Sequence, residues 1–377
     1  MQISVWEKES FYAPKDVIIV GSGLVGLWCA WYLKKKKPKL SVAIVDRGII
    51  PTGASTRNAG FACFGSVTEL VEDISLYGVD KTMQLVEMRY KGLERIRKVF
   101  SKSDIGFDLC GGFELFTEND TWEKPELEHE THRLNKLLHD ITGKKNTFKT
   151  AEEKIPALGL HNTNYLIENK LEGYLHSGKL CQALLREVQS QGVTVLNAIE
   201  INGFEKNNDQ ITLHTNQLIH LNTSRLLICT NAFAQQLLPD LDIVPARGQV
   251  LVTSPIEGLA LKGTFHYDGG YYYFRNLGNR VLLGGARNKA FDEEATTEMT
   301  TTEKIQHELE RFLAEHILPG YSYEITDRWS GIMGMGHEKM PIIKEVSPQV
   351  FCAVRMSGMG VALAPVIGET IADMMVH

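Results

Sequence analysis

After a short mixed segment the chain runs Val17-Ile18-Ile19-Val20, turns through glycines, and resumes as Leu27-Trp28-Cys29-Ala30-Trp31-Tyr32-Leu33. The pattern reads as a strand, a turn and a helix. The cations from Lys34 to Lys37 suit a helix C-terminus and Pro38 stops the helix. A second short apolar run, Ser41-Val42-Ala43-Ile44-Val45, ends at Asp46 and completes a β-α-β unit.

A glycine-containing loop then covers residues 47–66. Met83, Val86, Tyr90, Leu93, Ile96 and Phe100 recur at intervals of three and four, which predicts a helix over 81–102. Glu114-Leu115-Phe116 lies in a strand, and a charged helix covers 123–141. A helix over 177–191 has Ser177 as its cap and Gly192 as its terminator. Val193-Thr194-Val195-Leu196 and Leu226-Leu227-Ile228-Cys229-Thr230 read as strands, and residues 245–285 alternate strands and turns. A helix over 302–317 precedes a strand near Tyr323. The chain closes with Val350-Phe351-Cys352-Ala353-Val354, a glycine turn and a helix to Met375. Pieces suited to a dinucleotide fold thus occur at the start, middle and end, with strand-rich segments between them. That arrangement, in 377 residues without an internal repeat or low-complexity linker, predicts two interleaved domains, one of them discontinuous.

Composition narrows this picture only slightly. A 43% hydrophobic content is that of an ordinary globular protein, and a net charge of −6 argues against a nucleic-acid or other polyanionic partner. Cys29, Cys63, Cys110, Cys181, Cys229 and Cys352 form no C-x-x-C pair and read as thiols in a reducing compartment. The N-terminus carries no signal-peptide pattern, and the longest apolar run, 17–33, is glycine-rich and too short for a membrane span. A cytoplasmic location is expected. No metal site is expected: His129-Glu130-Thr131-His132 is one residue short of a zinc motif and reads as helix surface, and His337-Glu338 reads as a loop turn.

The chemistry begins at Gly21-Ser22-Gly23-Leu24-Val25-Gly26. In this spacing the glycines allow a tight turn, close approach of a pyrophosphate and close helix–strand packing, and the helix N-terminus offers free amides to phosphate. Asp46 stands about 20 residues beyond, where a ribose hydroxyl is bound in such folds.

Further on, Gly53-Ala54-Ser55-Thr56-Arg57-Asn58-Ala59-Gly60-Phe61 resembles the D-amino-acid oxidase-like family of FAD-dependent amine and amino-acid oxidoreductases, which includes glycine oxidase, sarcosine oxidase and γ-glutamylputrescine oxidase. The resemblance is strongest to the γ-glutamylputrescine oxidase group and runs from about Val17 to the C-terminus. Glu172 to Leu180, Cys229-Thr230-Asn231-Ala232, Arg247-Gly248-Gln249, Gly270 to Arg275, Val281 to Gly285, Trp329-Ser330-Gly331 and Ser357 to Pro365 follow in the family's order. The resemblance implies an α/β (α+β overall) architecture: a discontinuous Rossmann-like FAD-binding domain of glutathione-reductase type over 1–85, 150–235 and 325–377, and an interleaved antiparallel-sheet substrate domain over 86–149 and 236–324.

The cofactor residues it implies are Gly21, Gly23, Leu24, Val25, Gly26, Asp46, Arg47, Ser55, Thr56, Arg57, Asn58, Ala59, Gly60, Thr194, Val195, Thr230, Asn231, Ala232, Trp329, Gly331, Gly358, Met359, Gly360 and Val361. Gly358-Met359-Gly360 opens the last helix, whose positive end would face the flavin and stabilise negative charge that develops on reduction. Relatives with covalent flavin carry a cysteine near the W-x-G segment. None lies between Trp329 and Phe351, which implies non-covalent FAD.

The implied reaction is oxidation of a C–N bond in a small amine or amino acid, by hydride transfer to flavin N5. The imine then hydrolyses, and oxygen serves as acceptor with hydrogen peroxide as product. Arg57 is the candidate beside the flavin ring, and Tyr271 and Tyr273 are favoured over Tyr272 and Phe274 as the alternate pair facing the substrate. Relatives that bind a free carboxylate carry arginine where this chain has Met333, and Arg355 stands where glycine is usual. Arg355 or Arg275 is therefore expected to supply an anion contact. Two other readings compete: an NAD-dependent dehydrogenase sharing only the first β-α-β unit, and a non-catalytic flavoprotein subunit. No oligomeric state is implied.

Overall fold

A computed structural model describes residues 2–376. The described residues form two compact units: 2–56, 178–246 and 333–376 in the first, 57–177 and 247–332 in the second. The domain limits expected from the sequence differ from this division. Residues 57–85, 150–177 and 325–332 pack within the second unit, and 236–246 within the first.

The first unit is built on a sheet in which Lys15–Val20 is flanked by Val42–Val45 on one side and His220–Ile228 on the other, all parallel. Thr194–Leu196 extends one edge and Val350–Val354 the other, again parallel, and Ile342–Ser347 closes that edge antiparallel. Val17 to Val20 and Val42 to Val45 are buried throughout, as strands covered on both faces must be. The helices Leu24–Lys36 and Gly360–Val376 begin just past the C-terminal ends of Lys15–Val20 and Val350–Val354. In open parallel sheets that end is where ligands are bound. Ile201–Asn207 and Gln210–Thr215 add an antiparallel extension to His220–Ile228.

The second unit carries a mainly antiparallel sheet ordered Ile325–Met335, Val244–Thr253, Arg280–Gly285, Tyr272–Leu277, Thr264–Tyr267, Gly112–Phe116, Tyr165–Asn169 and Phe148–Thr150. One face is packed by Phe265, Tyr272, Phe274 and Leu283 against Leu309 and Phe312 of the helix Glu303–Phe312. The opposite face gathers Ala59, Phe61, Tyr273, Leu282 and Trp329. Within the strand Tyr272 and Phe274 lie on the core side and Tyr273 on the opposite face, whereas Tyr271, expected to pair with Tyr273, precedes the strand and packs against the same core as Tyr272 and Phe274.

The predicted 81–102 helix is Val79–Val99, and a separate helix Val67–Tyr77 precedes it, absent from the sequence reading. Gly78, at φ +83°, divides the two, a left-handed value that halts a helix. The predicted 302–317 helix is α-helical to Phe312 and then a π-helical turn over Leu313–Ile317. Of the six thiols, Cys29, Cys181, Cys229 and Cys352 are buried and Cys63 and Cys110 are half-buried, all unpaired.

Candidate active site

Within the first unit the glycine turn has the geometry its spacing requires. Gly21 adopts φ +108°, and a Cβ on Gly26 would fall 2.1 Å from the Gly21 carbonyl oxygen. Leu27 N–H opens the helical ladder on the Gly23 carbonyl, leaving the amides of Val25 and Gly26 ahead of it, and Leu24 N–H donates to Ser55 Oγ at 2.9 Å. Asp46 accepts from Ser22 N–H at 2.8 Å and Ser22 Oγ at 2.7 Å through Oδ2, and from Gly48 N–H at 2.8 Å through Oδ1. The acidic residue is thereby clamped to the glycine turn.

The other named residues of this unit lie on its sheet and loops. Thr194 and Val195 sit in the edge strand beside Ala43 and Ile44. Arg47 lies over the Phe233 ring at 4.0 Å. Thr56 Oγ1 donates to the Pro51 carbonyl at 2.5 Å. Asn231, at φ +49°, uses Oδ1 to accept from the amides of Arg355 and Met356 at 3.1 and 3.2 Å, and Ala232 is buried in the turn that follows. That bond joins the turn after His220–Ile228 to the end of Val350–Val354. Met359 N–H donates to the Met356 carbonyl at 2.8 Å in the turn before Gly360 and Val361.

Of the two arginines expected as an anion contact, Arg355 is engaged within the protein: its Nη1 donates to Asp242 Oδ2 at 2.5 Å and to the Asp242 carbonyl, while Nε and Nη2 donate to the Met340 carbonyl at 3.1 and 2.9 Å. With 7% of its surface exposed, the guanidinium is a brace between two loops of this unit. The Asp242 carboxyl is held below its ordinary range, by its hydrogen bond from His337 first, with Arg355 adding to it. His337 is accordingly an exposed partner of Asp242, 2.8 Å away.

Within the second unit, Arg57 Nη1 donates to the Ser330 carbonyl and Trp329 Nε1 donates to the Arg57 carbonyl, both at 3.1 Å. Gly331 lies against Arg57, where a Cβ would come 3.0 Å from the Arg57 Cβ. Asn58 Oδ1 accepts from Gly60 N–H and from Ser177 Oγ, so Ser177 secures this loop besides starting its helix. Arg275 Nε donates to the Ala59 carbonyl at 2.7 Å, Nη1 donates to the Asn276 carbonyl at 3.1 Å, and its guanidinium lies over the Tyr174 ring at 4.5 Å. Arg275 is 5% exposed with no carboxylate among these partners, and burial pulls its pKa down to about 10. Tyr273 is half-buried with its ring edge-on to Phe61, and desolvation pushes its phenol up to about 12. Tyr271 lies edge-on to Phe291.

His266 was missed by the sequence reading. It is buried edge-on to Phe61, its Nε2 has no hydrogen-bond partner, and burial lowers its pKa to about 4, so the ring is neutral. Only its place one residue after Phe265, on the alternate face, could have drawn attention to it. Two separate buried carboxyls were also missed. Glu114 caps the Val67–Tyr77 helix, accepting from Ser66 Oγ at 2.9 Å, Val67 N–H at 2.8 Å and Thr68. Glu172 accepts from Phe64 N–H at 2.7 Å. Burial raises them to about 7 and about 8.

A family model described as FAD dependent oxidoreductase, the DAO family, matches residues 16–374. The chain belongs to this family. It is 24% identical over 367 residues to the probable oxidoreductase OrdL of Rhizobium meliloti, covering 95% of this chain and 82% of that one. It is also 24% identical over 386 residues to monomeric sarcosine oxidase of Bacillus sp., covering 95% and 92%. Among solved structures, glycine oxidase from Geobacillus kaustophilus superposes with a TM-score of 0.77 at 20% identity, covering 96% of this chain and 94% of that one. The expected family, the Rossmann-like fold and the FAD dependence are thereby shown. The first unit fits the cofactor on its own evidence. It has a turn too tight for any side chain at Gly26, amides ahead of the helical ladder, and two buried hydroxyls without partners, Thr230 Oγ1 and Ser357 Oγ, at the strand ends where a polar ligand is bound. Among the described residues no helix is long and apolar enough to cross a membrane.

Proposed function

We propose that this FAD-dependent oxidoreductase oxidises a C–N bond in a small amine or amino acid, with oxygen as acceptor and water hydrolysing the imine, giving a carbonyl compound, ammonia or an amine, and hydrogen peroxide. The observation that carries the proposal is the cofactor cradle of the first unit combined with membership of a family whose relatives include sarcosine oxidase. Bound FAD supplies a hydride acceptor. The chain's own residues supply placement and electrostatics. Gly23, Leu24, Val25 and Gly26 take the pyrophosphate, and Asp46 takes the ribose. The last helix, opening at Gly358-Met359-Gly360, turns its positive end toward developing negative charge. Non-covalent attachment is part of the proposal.

In the second unit, Arg57, Tyr271 and Tyr273 are the proposed substrate-side groups. The phenol of Tyr273 stays protonated at neutral pH, with its pKa pushed up to about 12, so it can donate but not accept a proton. With Arg355 bound to Asp242, Arg275 is the remaining proposed anion contact, since a buried cation without an acid partner favours an anionic neighbour. A carboxylated amine is then a better substrate than its uncharged analogue. The test is aerobic incubation with paired substrates, one with and one without a carboxylate, reading carbonyl product and peroxide. Equimolar carbonyl and peroxide support the reaction. No product from any amine or amino acid, with FAD bound, would leave a flavoprotein without this activity. Arg275→Lys should raise KM for the carboxylated substrate about tenfold and leave the uncharged one unchanged. An equal effect on both removes the anion contact.

A further inference from the structure

The antiparallel extension of the first unit places His214 and His220 directly opposite one another across the hairpin between Gln210–Thr215 and His220–Ile228. Leu213 and Leu221 are buried, so the two-residue period puts both imidazoles on the outer face, beside the Thr212–Asn222 hydrogen bond of 2.9 Å. Their Nδ1 atoms are 3.2 Å apart, with ring centroids 5.0 Å apart and planes at 87°.

The contact satisfies the geometry of a hydrogen bond, and two arrangements, a shared proton or a shared cation, bring ring nitrogens this close. If they shared a proton along a straight N–H···N line, the centroids would stand about 5.5 Å apart at this nitrogen separation. If both lone pairs converged on one cation about 2.05 Å away, at angles between right and tetrahedral, the nitrogens would be about 2.9–3.3 Å apart and the centroids about 4.5–5.2 Å apart. Both observed distances fall in the second window. The tautomer agrees. His214 Nε2 is buried without a hydrogen bond and faces Glu205 Oε1 at 3.4 Å from the neighbouring strand Ile201–Asn207. A carboxylate there favours the proton on Nε2 and leaves Nδ1 as a donor to metal, as carboxylates behind metal-binding histidines do.

We propose that His214 and His220 bind one divalent transition cation of the Zn²⁺, Ni²⁺ or Cu²⁺ class, with Glu205 orienting His214. Among the described residues no three His, Cys, Asp or Glu side chains surround one point, so water completes the shell. The ion ties the two strands of the hairpin together. The site is independent of the flavin chemistry.

The experiment is calorimetric titration of the flavin-loaded protein with zinc chloride at neutral pH, with magnesium chloride as control and flavin content and Tm confirming the fold of each variant. One zinc per chain is expected, with no magnesium binding. Affinity should fall at least about tenfold in His214→Asn and in His220→Asn, and about tenfold in Glu205→Gln. No zinc binding, or unchanged binding in the double histidine variant, overturns the site. Loss in the histidine variants with unchanged affinity in Glu205→Gln overturns the role of Glu205.

Discussion

The two units recruit their functional residues by different means. The first unit builds its cradle from backbone: a left-handed Gly21, a Gly26 with no room for a side chain, and helix amides at the ends of parallel strands. The second unit builds its candidate surface from side chains: Tyr273, Phe61 and Trp329 on one sheet face, with Arg275 and Arg57 holding carbonyls of the neighbouring loop and strand. A backbone-made site must be written in glycines at fixed spacing. A side-chain-made site can be assembled from many sequences, because only the face of a strand and the partners across it define it.

The sharpest way to break the contrast is Gly26→Val. No rotamer avoids a Cβ 2.1 Å from the Gly21 carbonyl oxygen, so the turn must move. Purified protein should be colourless, with stability lowered by about 3 kcal/mol. Retained flavin at wild-type stoichiometry would show that the cradle does not depend on its backbone shape.

Next is the buried ion pair of the second unit. Arg247 and Glu294 are 4% and 1% exposed on their side chains, and Arg247 Nε and Nη2 each donate to the carboxylate at 2.8 Å. Arg247→Ala leaves Glu294 buried with Gln249 and Thr302 as its remaining donors. Chemical denaturation should show a loss of about 3 kcal/mol, and a loss below about 1 kcal/mol would mean that water replaces the guanidinium.

The same unit should carry a pH signature. Glu114 and Glu172 titrate at about 7 and about 8 in the folded chain, against 4.5 ordinarily, because burial penalises their charged forms. Between those limits the folded chain holds more protons than the unfolded one. The contribution of these carboxyls to stability is therefore full below about pH 4.5 and is lost as pH rises through about 7 to 8. Tm should fall by several degrees from pH 6 to pH 8, and Glu172→Gln should flatten that decline. An unchanged slope in the variant removes Glu172 as its source.

These experiments also mark how far the sequence could be read. The first β-α-β unit, the Asp46 position and the closing helix were legible because each depends on local pattern or on glycine spacing. The pairing of Arg355 with Asp242 was not, since the two lie over a hundred residues apart and no local pattern pairs them. The Val67–Tyr77 helix was missed although Ser66 and Glu69 have the spacing of a helix start; in the structure the Ser66 side chain turns to Glu114 of a distant strand, whose carboxylate caps the helix instead. His266, in a strand of mixed aromatics, offers no signal until its orphaned Nε2 is seen.

The smallest effect is expected at Arg355. Arg355→Gly loses the Asp242 pair but relieves a left-handed φ of +62°. The two should offset to within about 1 kcal/mol, and turnover should stay within about twofold of wild type. A much larger loss of turnover than of stability would return Arg355 to the substrate.

The account as a whole is tested most directly by mixing the purified protein anaerobically with small amines and α-amino acids and following the long-wavelength flavin band. The band should bleach with at least one of them and return when air is admitted. A flavin that no amine or amino acid reduces, in a protein that retains FAD, would contradict C–N oxidation as its activity.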